Sequence, residues 1–301
     1  MSSRIIFAVA IAALGFGGVL LDAVPARADD VKGVATPAVD PQQWQKDQAL
    51  EKASWADLHS GGLLAIAPHV PDLERALANA EQTMASAKSP DGAHVVFTDG
   101  DAETFIALAA VATDKSASSV KTEAQDNPYL GIGLCLGSYY NEIDKSEDAL
   151  RVLSLALTLD AVQTGGLGLG DRTPYLVSEK GAALNALKRW PEAIVTFDAG
   201  LAIKDMEPAK RALLYRGRGF ALTESGRLDD AEASYWESLK LEPGNTHAIN
   251  ELQYIGRLRA GKPPTQGGLF LAHPPASTTP PAAPATTTAP ATPAPPAPVQ
   301  N

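Results

Sequence analysis

Asp99, Asp101 and Glu103 alternate around Gly100, and they are the residues whose type and spacing come closest to acid–base or cation-holding chemistry. In sequence the group reads as a solvated turn following a short strand. Five histidines, His59, His69, His94, His247 and His273, are scattered, with no second histidine or carboxylate at ligand spacing on a common helix face. Gly131-x-Gly133-x-x-x-Gly137 has one residue too many for a dinucleotide loop and lies inside a helical pattern. The glycines of 165–170 lack the Lys and Ser/Thr of a phosphate loop. There is no His-Glu-x-x-His and no Gly-x-Ser-x-Gly. The reading is therefore of a protein that is not an enzyme, with no catalytic residues, no metal and no cofactor.

The elements around these residues must be built from 301 residues, of which 45% are hydrophobic and 20% charged. That composition supports a globular core of about two domains' length. The formal charge of −10 argues against nucleic acid, which needs clustered Lys and Arg to displace counterions. The acidity is uneven: residues 29–127 carry a net −9 and residues 128–260 a net −3. Cys135, the single cysteine, has no partner within the chain; it reads as a half-buried small apolar residue or as a link between chains in a homo-oligomer.

The two ends read as processing and spacer segments. Arg4, an apolar run over 5–21, Pro25 and Ala26-Arg27-Ala28 predict a signal peptide, residues 1–28, cleaved after Ala28. No membrane span is expected after cleavage, and the expected location is periplasmic or secreted in a Gram-negative bacterium. Residues 261–301 hold Pro, Ala and Thr in low-complexity order, with no charge after Lys262. Such a segment buries too little apolar area to offset its ordering entropy, so a disordered tail is predicted.

Between the ends lies a repeat. Asp148-Ala149, Glu192-Ala193 and Asp230-Ala231 are each followed, four residues beyond the alanine, by Leu153, Phe197 and Tyr235. Twelve residues before each alanine stands Gly137, Gly181 or Gly219, and three after each glycine stands Tyr140, Leu184 or Leu222. Pro243 closes the third copy. Small residues at these places suit two helices that cross closely. This pattern resembles the tetratricopeptide repeat family over roughly residues 130–245. It departs from the family in spacing, 44 and then 38 residues, and in lacking the closing proline of the first two copies.

The fold class implied is all-α: a superhelix of about three repeats over 128–260, ended by a capping helix with Ile249, Leu252 and Ile255 on one face. Residues 29–127 are expected to be mostly helical, with a helix from Asp40-Pro41 through Trp44 and Trp55, a second from Pro71 through Met84, and a strand at 94–98. Residues 101–127 are expected to form a degenerate helical pair.

The resemblance implies protein–protein interaction through a concave groove lined by the first helix of each repeat. By spacing, Leu134, Ser138 and Asn141, Ser178 and Asn185, and Arg216, Phe220 and Thr223 look into it, binding a protein or peptide of the bacterial envelope. Alternatives are an envelope structural protein whose tail is a tether or spacer, and an enzyme in residues 29–127 with a pocket around Asp99.

Overall fold

The computed structural model describes residues 40–113, 121–164 and 170–261. The signal-peptide reading with Ala28, the Pro/Ala/Thr tail and the glycines of 165–169 lie outside these residues. The described chain is mostly helical, with eleven α-helices and two short strands.

The N-terminal part runs through α1 (Gln43–Gly61), a 3₁₀ turn (Leu63–His69), α2 (Val70–Ala78) and α3 (Ala80–Ser86). The expected single helix from Pro71 to Met84 is interrupted at Asn79, although Leu73, Ala76, Leu77 and Ala80 are all buried on its inner face. Strand β1 (His94–Thr98) follows, then α4 (Asp101–Thr113) and β2 (Thr122–Asp126). The helical pair expected over 101–127 is corrected here: one helix is followed by a strand that pairs parallel with β1, from His94 opposite Thr122 to Thr98 opposite Asp126. The strand is hard to read because Thr122-Glu123-Ala124-Gln125-Asp126 has no apolar alternation. It is placed by pairing with Val95 and Phe97 in β1, which are buried near Trp44. Helix α4 leaves Phe105, 76% exposed, on its outer side.

Six helices follow in three consecutive pairs: α5 (Pro128–Glu142) with α6 (Ser146–Thr164), α7 (Thr173–Ala186) with α8 (Trp190–Leu201), and α9 (Pro208–Glu224) with α10 (Leu228–Leu241). Helix α11 (Thr246–Arg259) closes the described chain, its first turn capped by the Asn245 side chain accepting from the Ala248 N–H at 3.2 Å.

The three pairs repeat down to single atoms. A methyl built on Gly137 would lie 2.4 Å from Leu153, on Gly181 2.2 Å from Phe197, and on Gly219 2.8 Å from Tyr235. Only a bare α-carbon lets these large side chains sit against the facing helix. Each turn closes the same way: Lys145, Arg189 and Arg227 donate their N–H groups to the carbonyls of Tyr140, Leu184 and Leu222 at 2.8–2.9 Å. The residue before each donor is left-handed: Asp144 and Lys188 at φ 58° and Gly226 at φ 79°. Ala149, Ala193 and Ala231 are fully buried on the second helices.

The pairs are also tied one to the next. Asn141 of α5 donates to the Glu179 carbonyl of α7 at 3.1 Å, and Asn185 of α7 donates to the Gly217 carbonyl of α9 at 3.3 Å. One apolar cluster joins Leu73 and Leu77 of α2 to Tyr129, Leu136 and Leu153, and a second runs from Val177 and Phe197 to Tyr235 and Ile255.

Candidate functional site

Helix α1 buries an unusual stripe. Trp44, Asp47, Glu51 and Ser54 recur at helical spacing on its inner side, so the face turned to the core is largely polar. Buried polar groups must find partners. The Asp47 carboxylate accepts from the Tyr129 hydroxyl at 2.8 Å, and Glu51 lies 3.5 Å from the Arg172 guanidinium. Gly131 of α5 leaves room for Glu51, because a methyl there would collide with its carboxylate.

Arg172 is the centre of the site. Strands β1 and β2 run parallel and end together, which brings Asp99 and Asp126 to the same edge. The Asp99 carboxylate accepts from the Arg172 backbone N–H at 2.6 Å and from its guanidinium. The Asp99 carbonyl accepts from the Asp171 N–H at 3.1 Å. Gly100 at φ 102° and Gly170 are the small residues that permit this closeness, since methyls on them would lie 2.8 and 2.6 Å from the carboxylates of Asp171 and Asp99.

Glu103, one turn into α4, reaches back to accept the Asp99 N–H at 2.8 Å. Its other oxygen is buried with no partner among the described residues. Burial, then the neighbouring carboxylates of Asp160, Asp99 and Asp171, push its pKa up to about 7. Asp160 of α6, which accepts from the Thr173 hydroxyl at 2.9 Å, is pushed up to about 6 by burial and by Asp99. Burial likewise raises Glu51, against the pull of Arg172.

The solvated turn expected at Asp99, Asp101 and Glu103 is therefore corrected for two of the three. Asp99 is 2% and Glu103 6% exposed, while Asp101 faces solvent. The loop at 170–172 folds over them, and its approach is a long-range contact that spacing does not encode. An open cleft of about 580 Å³ lies beside the group, lined by Asp99, Asp126, Arg172, Tyr175, Glu207 and Lys210. The Lys210 ammonium stands 5.4 Å from the Tyr175 ring centre and 3.7 Å from Asp171. Chemically, the arrangement offers two buried carboxyls, Glu103 and Asp160, raised toward neutrality, and a mixed-charge cleft lined by their neighbour Asp99. Among the described residues no three His, Cys, Asp or Glu side chains are placed to hold a metal ion.

Of the eight residues expected to face the groove, five are buried and three, Asn141, Arg216 and Phe220, keep partial exposure. Leu134, Ser138, Ser178, Asn185 and Thr223 are buried between helices. For Leu134 the cause is the cluster that α2 and α5 build together. Asn185 is turned to the carbonyl of the next pair, and Asn141, half-buried, also donates to the Glu179 carboxylate at 2.8 Å. The Thr223 hydroxyl donates to the Gly219 carbonyl of its own helix at 2.9 Å. Arg216 and Phe220 keep partial exposure; Arg216 is paired with Glu242 and Ser238, and Phe220 meets Trp190 edge-on at 6.1 Å. Cys135 is fully buried, and its thiol is pushed up to about 12 by burial and by Glu51.

Glu51, Asp126, Asp160 and Arg172 do not stand out in the sequence. A signal exists for two of them. Asp160 continues the apolar stripe Ala149, Val152, Leu153, Ala156, and Glu51 continues Trp44 and Asp47; a charge on a buried stripe asks for a partner elsewhere. Comparison with known protein families, curated proteins and solved structures finds no match to this chain.

Proposed function

We propose that the chain is an exported, non-catalytic interaction protein that holds a partner polypeptide on a tetratricopeptide-like stack of three helical pairs. The observation that carries this reading is the atom-level recurrence of the pairs: the same glycine against the same large side chain, the same left-handed turn, and asparagines linking one pair to the next. Repeats of this kind present long, rigid side surfaces, which suit an extended or helical peptide. Arg216 and Phe220 are the two anchors left partly open. A ligand carboxylate would compete with Glu242 for Arg216, and an apolar side chain would pack beside Phe220 and Trp190.

The test is crosslinked capture from bacterial envelope extract with the full chain and with Arg216→Glu/Phe220→Ala, both checked for equal helix content by circular dichroism. The expected result is a defined partner whose affinity falls by about tenfold or more in the variant. A partner captured equally by both chains would exclude this face. Fractionation and N-terminal sequencing of the mature protein test export and cleavage after Ala28.

A second reading is favoured by Glu103: a buried carboxyl raised toward neutrality that bonds to the Asp99 backbone behind the wall of an open cleft is a group an acid–base site can use. An activity lost on Glu103→Gln, with stability retained, would establish it.

A further inference from the structure

Helix α4 presents an apolar stripe to solvent. Its inner side is marked by Glu103, which is buried, and by Ala107 and Val111, which are half-buried one and two turns on. The first turn is tied down: Glu103 accepts the Asp99 N–H at 2.8 Å, and the Thr104 hydroxyl donates to the Gly100 carbonyl at 3.0 Å. On the other side Phe105, Leu108, Ala109 and Ala112 recur at i, i+3, i+4 and i+7, and all four are exposed, Phe105 at 76% and Leu108 at 40%. A helix normally turns such a stripe to a core and keeps charge outside. From Thr104 to Thr113, α4 has no charged residue at all.

Two properties of the stripe identify its occupant. The first is charge. Residues 29–127 carry a net −9, so a second copy is repelled over most of this part of the molecule. The uncharged flank of α4 is where two acidic copies can meet. A helix that lies on a lipid surface carries Lys or Arg on its polar face, and α4 has neither. The second property is the order of sizes. Two large residues, Phe105 and Leu108, precede two small ones, Ala109 and Ala112. The sizes complement each other about the midpoint between Leu108 and Ala109. An antiparallel copy therefore sets Phe105 opposite Ala112 and Leu108 opposite Ala109, so each large side chain meets an alanine. In a parallel pair Phe105 would meet Phe105. A twofold axis at this midpoint makes the stripe complementary to itself, as an interface between identical chains requires. The two Asp101 carboxylates then stand about 22 Å apart along the axis, well beyond the screening length of about 8 Å.

We propose that α4 pairs antiparallel with α4 of a second copy of this chain, with the twofold axis between Leu108 and Ala109. An interface centred on one helix of this length falls under about 1,200 Å² in total, so the pair is weak, with a Kd of roughly 10–100 μM. Phe105 supplies most of the drive, because it loses the most apolar surface to water. The pairing uses no residue of the three helical pairs, so it stands apart from what they bind.

Sedimentation velocity of the full chain from about 1 to 500 μM tests it, with variants checked for equal helix content by circular dichroism. The positions changed are exposed, so the core is left intact. The expected result is a monomer–dimer equilibrium that Phe105→Glu weakens by about tenfold or more. A size swap tests the register. Phe105→Ala alone leaves a gap, and Ala112→Phe alone sets two aromatic rings against each other; each weakens pairing by about fivefold or more. The two together restore the native Kd to within about threefold, because large again faces small. A chain that stays monomeric throughout overturns the proposal. So does a dimer indifferent to Phe105→Glu, which places the contact on another surface, and so does a double variant no tighter than the single ones. Co-sedimentation of a monomeric chain with phosphatidylglycerol vesicles, lost in Phe105→Glu, would overturn it in favour of a lipid surface.

Discussion

The first and last pairs of the stack face the same problem and solve it unequally. Helix α5 is covered by α1, α2 and the 3₁₀ turn, so that every residue from Pro128 to Ser138 is buried. Helix α10 is met by α11, which buries only Ala248 and Ile255, and Trp236 and Ile249 stay open. The last helix pair in a row exposes the face that a further pair would have met, and the chain must cover it or leave it open. At the first end the cover is held by polar bonds through α1, Asp47 to Tyr129 and Glu51 to Arg172, as well as by apolar contact. At the last end α11 is tied to α10 by exposed ion pairs of Arg259 with Asp229 and Glu232 at 2.5 Å, beside the apolar contacts of Ala248 and Ile255.

The largest effect is expected at the closed end. Tyr129 is fully buried, packs edge-on to Phe97 at 6.2 Å and donates to Asp47. Tyr129→Ala removes an aromatic side chain and leaves the buried Asp47 carboxylate with one donor fewer, that from Gln43 remaining, at a cost of about 4 kcal/mol by urea unfolding. A loss under about 1.5 kcal/mol would mean that the cover is loosely held and the two ends are alike.

Arg172→Met should cost about 3 kcal/mol at pH 8, because the buried carboxylates beside it, Asp99 and Glu51, lose the cation they share. The loss should shrink in acid as the raised carboxyls of Glu51 and Glu103 take protons. A loss that does not change with pH would separate Arg172 from the carboxyl group.

Glu103 gives the pH dependence its sign. Its native pKa of about 7 lies above the ordinary 4.5, so the native state holds the proton more tightly than the unfolded chain. The resulting stability is fully present below 4.5 and is lost as pH rises through 7. Asp160 acts in the same direction between 3.8 and 6. Glu103→Gln should therefore stabilise the chain by about 2 kcal/mol at pH 8 and by almost nothing at pH 4, read from thermal unfolding at both values. A variant with the native pH profile would show that the carboxyl is not held protonated.

How far the sequence reveals this molecule differs between its regions. The helix pairs are legible because their determinants are local: Gly181 and Phe197 are sixteen residues apart, and the apolar faces have helical period. The strand pair is half legible. Val95 and Phe97 show alternation, whereas β2 carries no pattern of its own and exists through its partner. The carboxyl–arginine group is hardly legible, since Asp99 and Arg172 are 73 residues apart and meet only when the tertiary fold closes. The asparagines teach a related lesson. Their equivalent spacing is real, but spacing alone does not distinguish a side chain that reaches for a ligand from one that reaches for the next helix. Asn185→Ala, predicted to cost about 1 kcal/mol through the lost bond to Gly217, measures that second role directly.

The smallest effect belongs to the open end and is the most informative about it. An exposed tryptophan that touches nothing further contributes a few tenths of a kcal/mol at most, so Trp236→Ala should then be nearly silent. A loss of about 1 kcal/mol or more in urea unfolding would instead show that the indole is covered and that the two ends are closed alike.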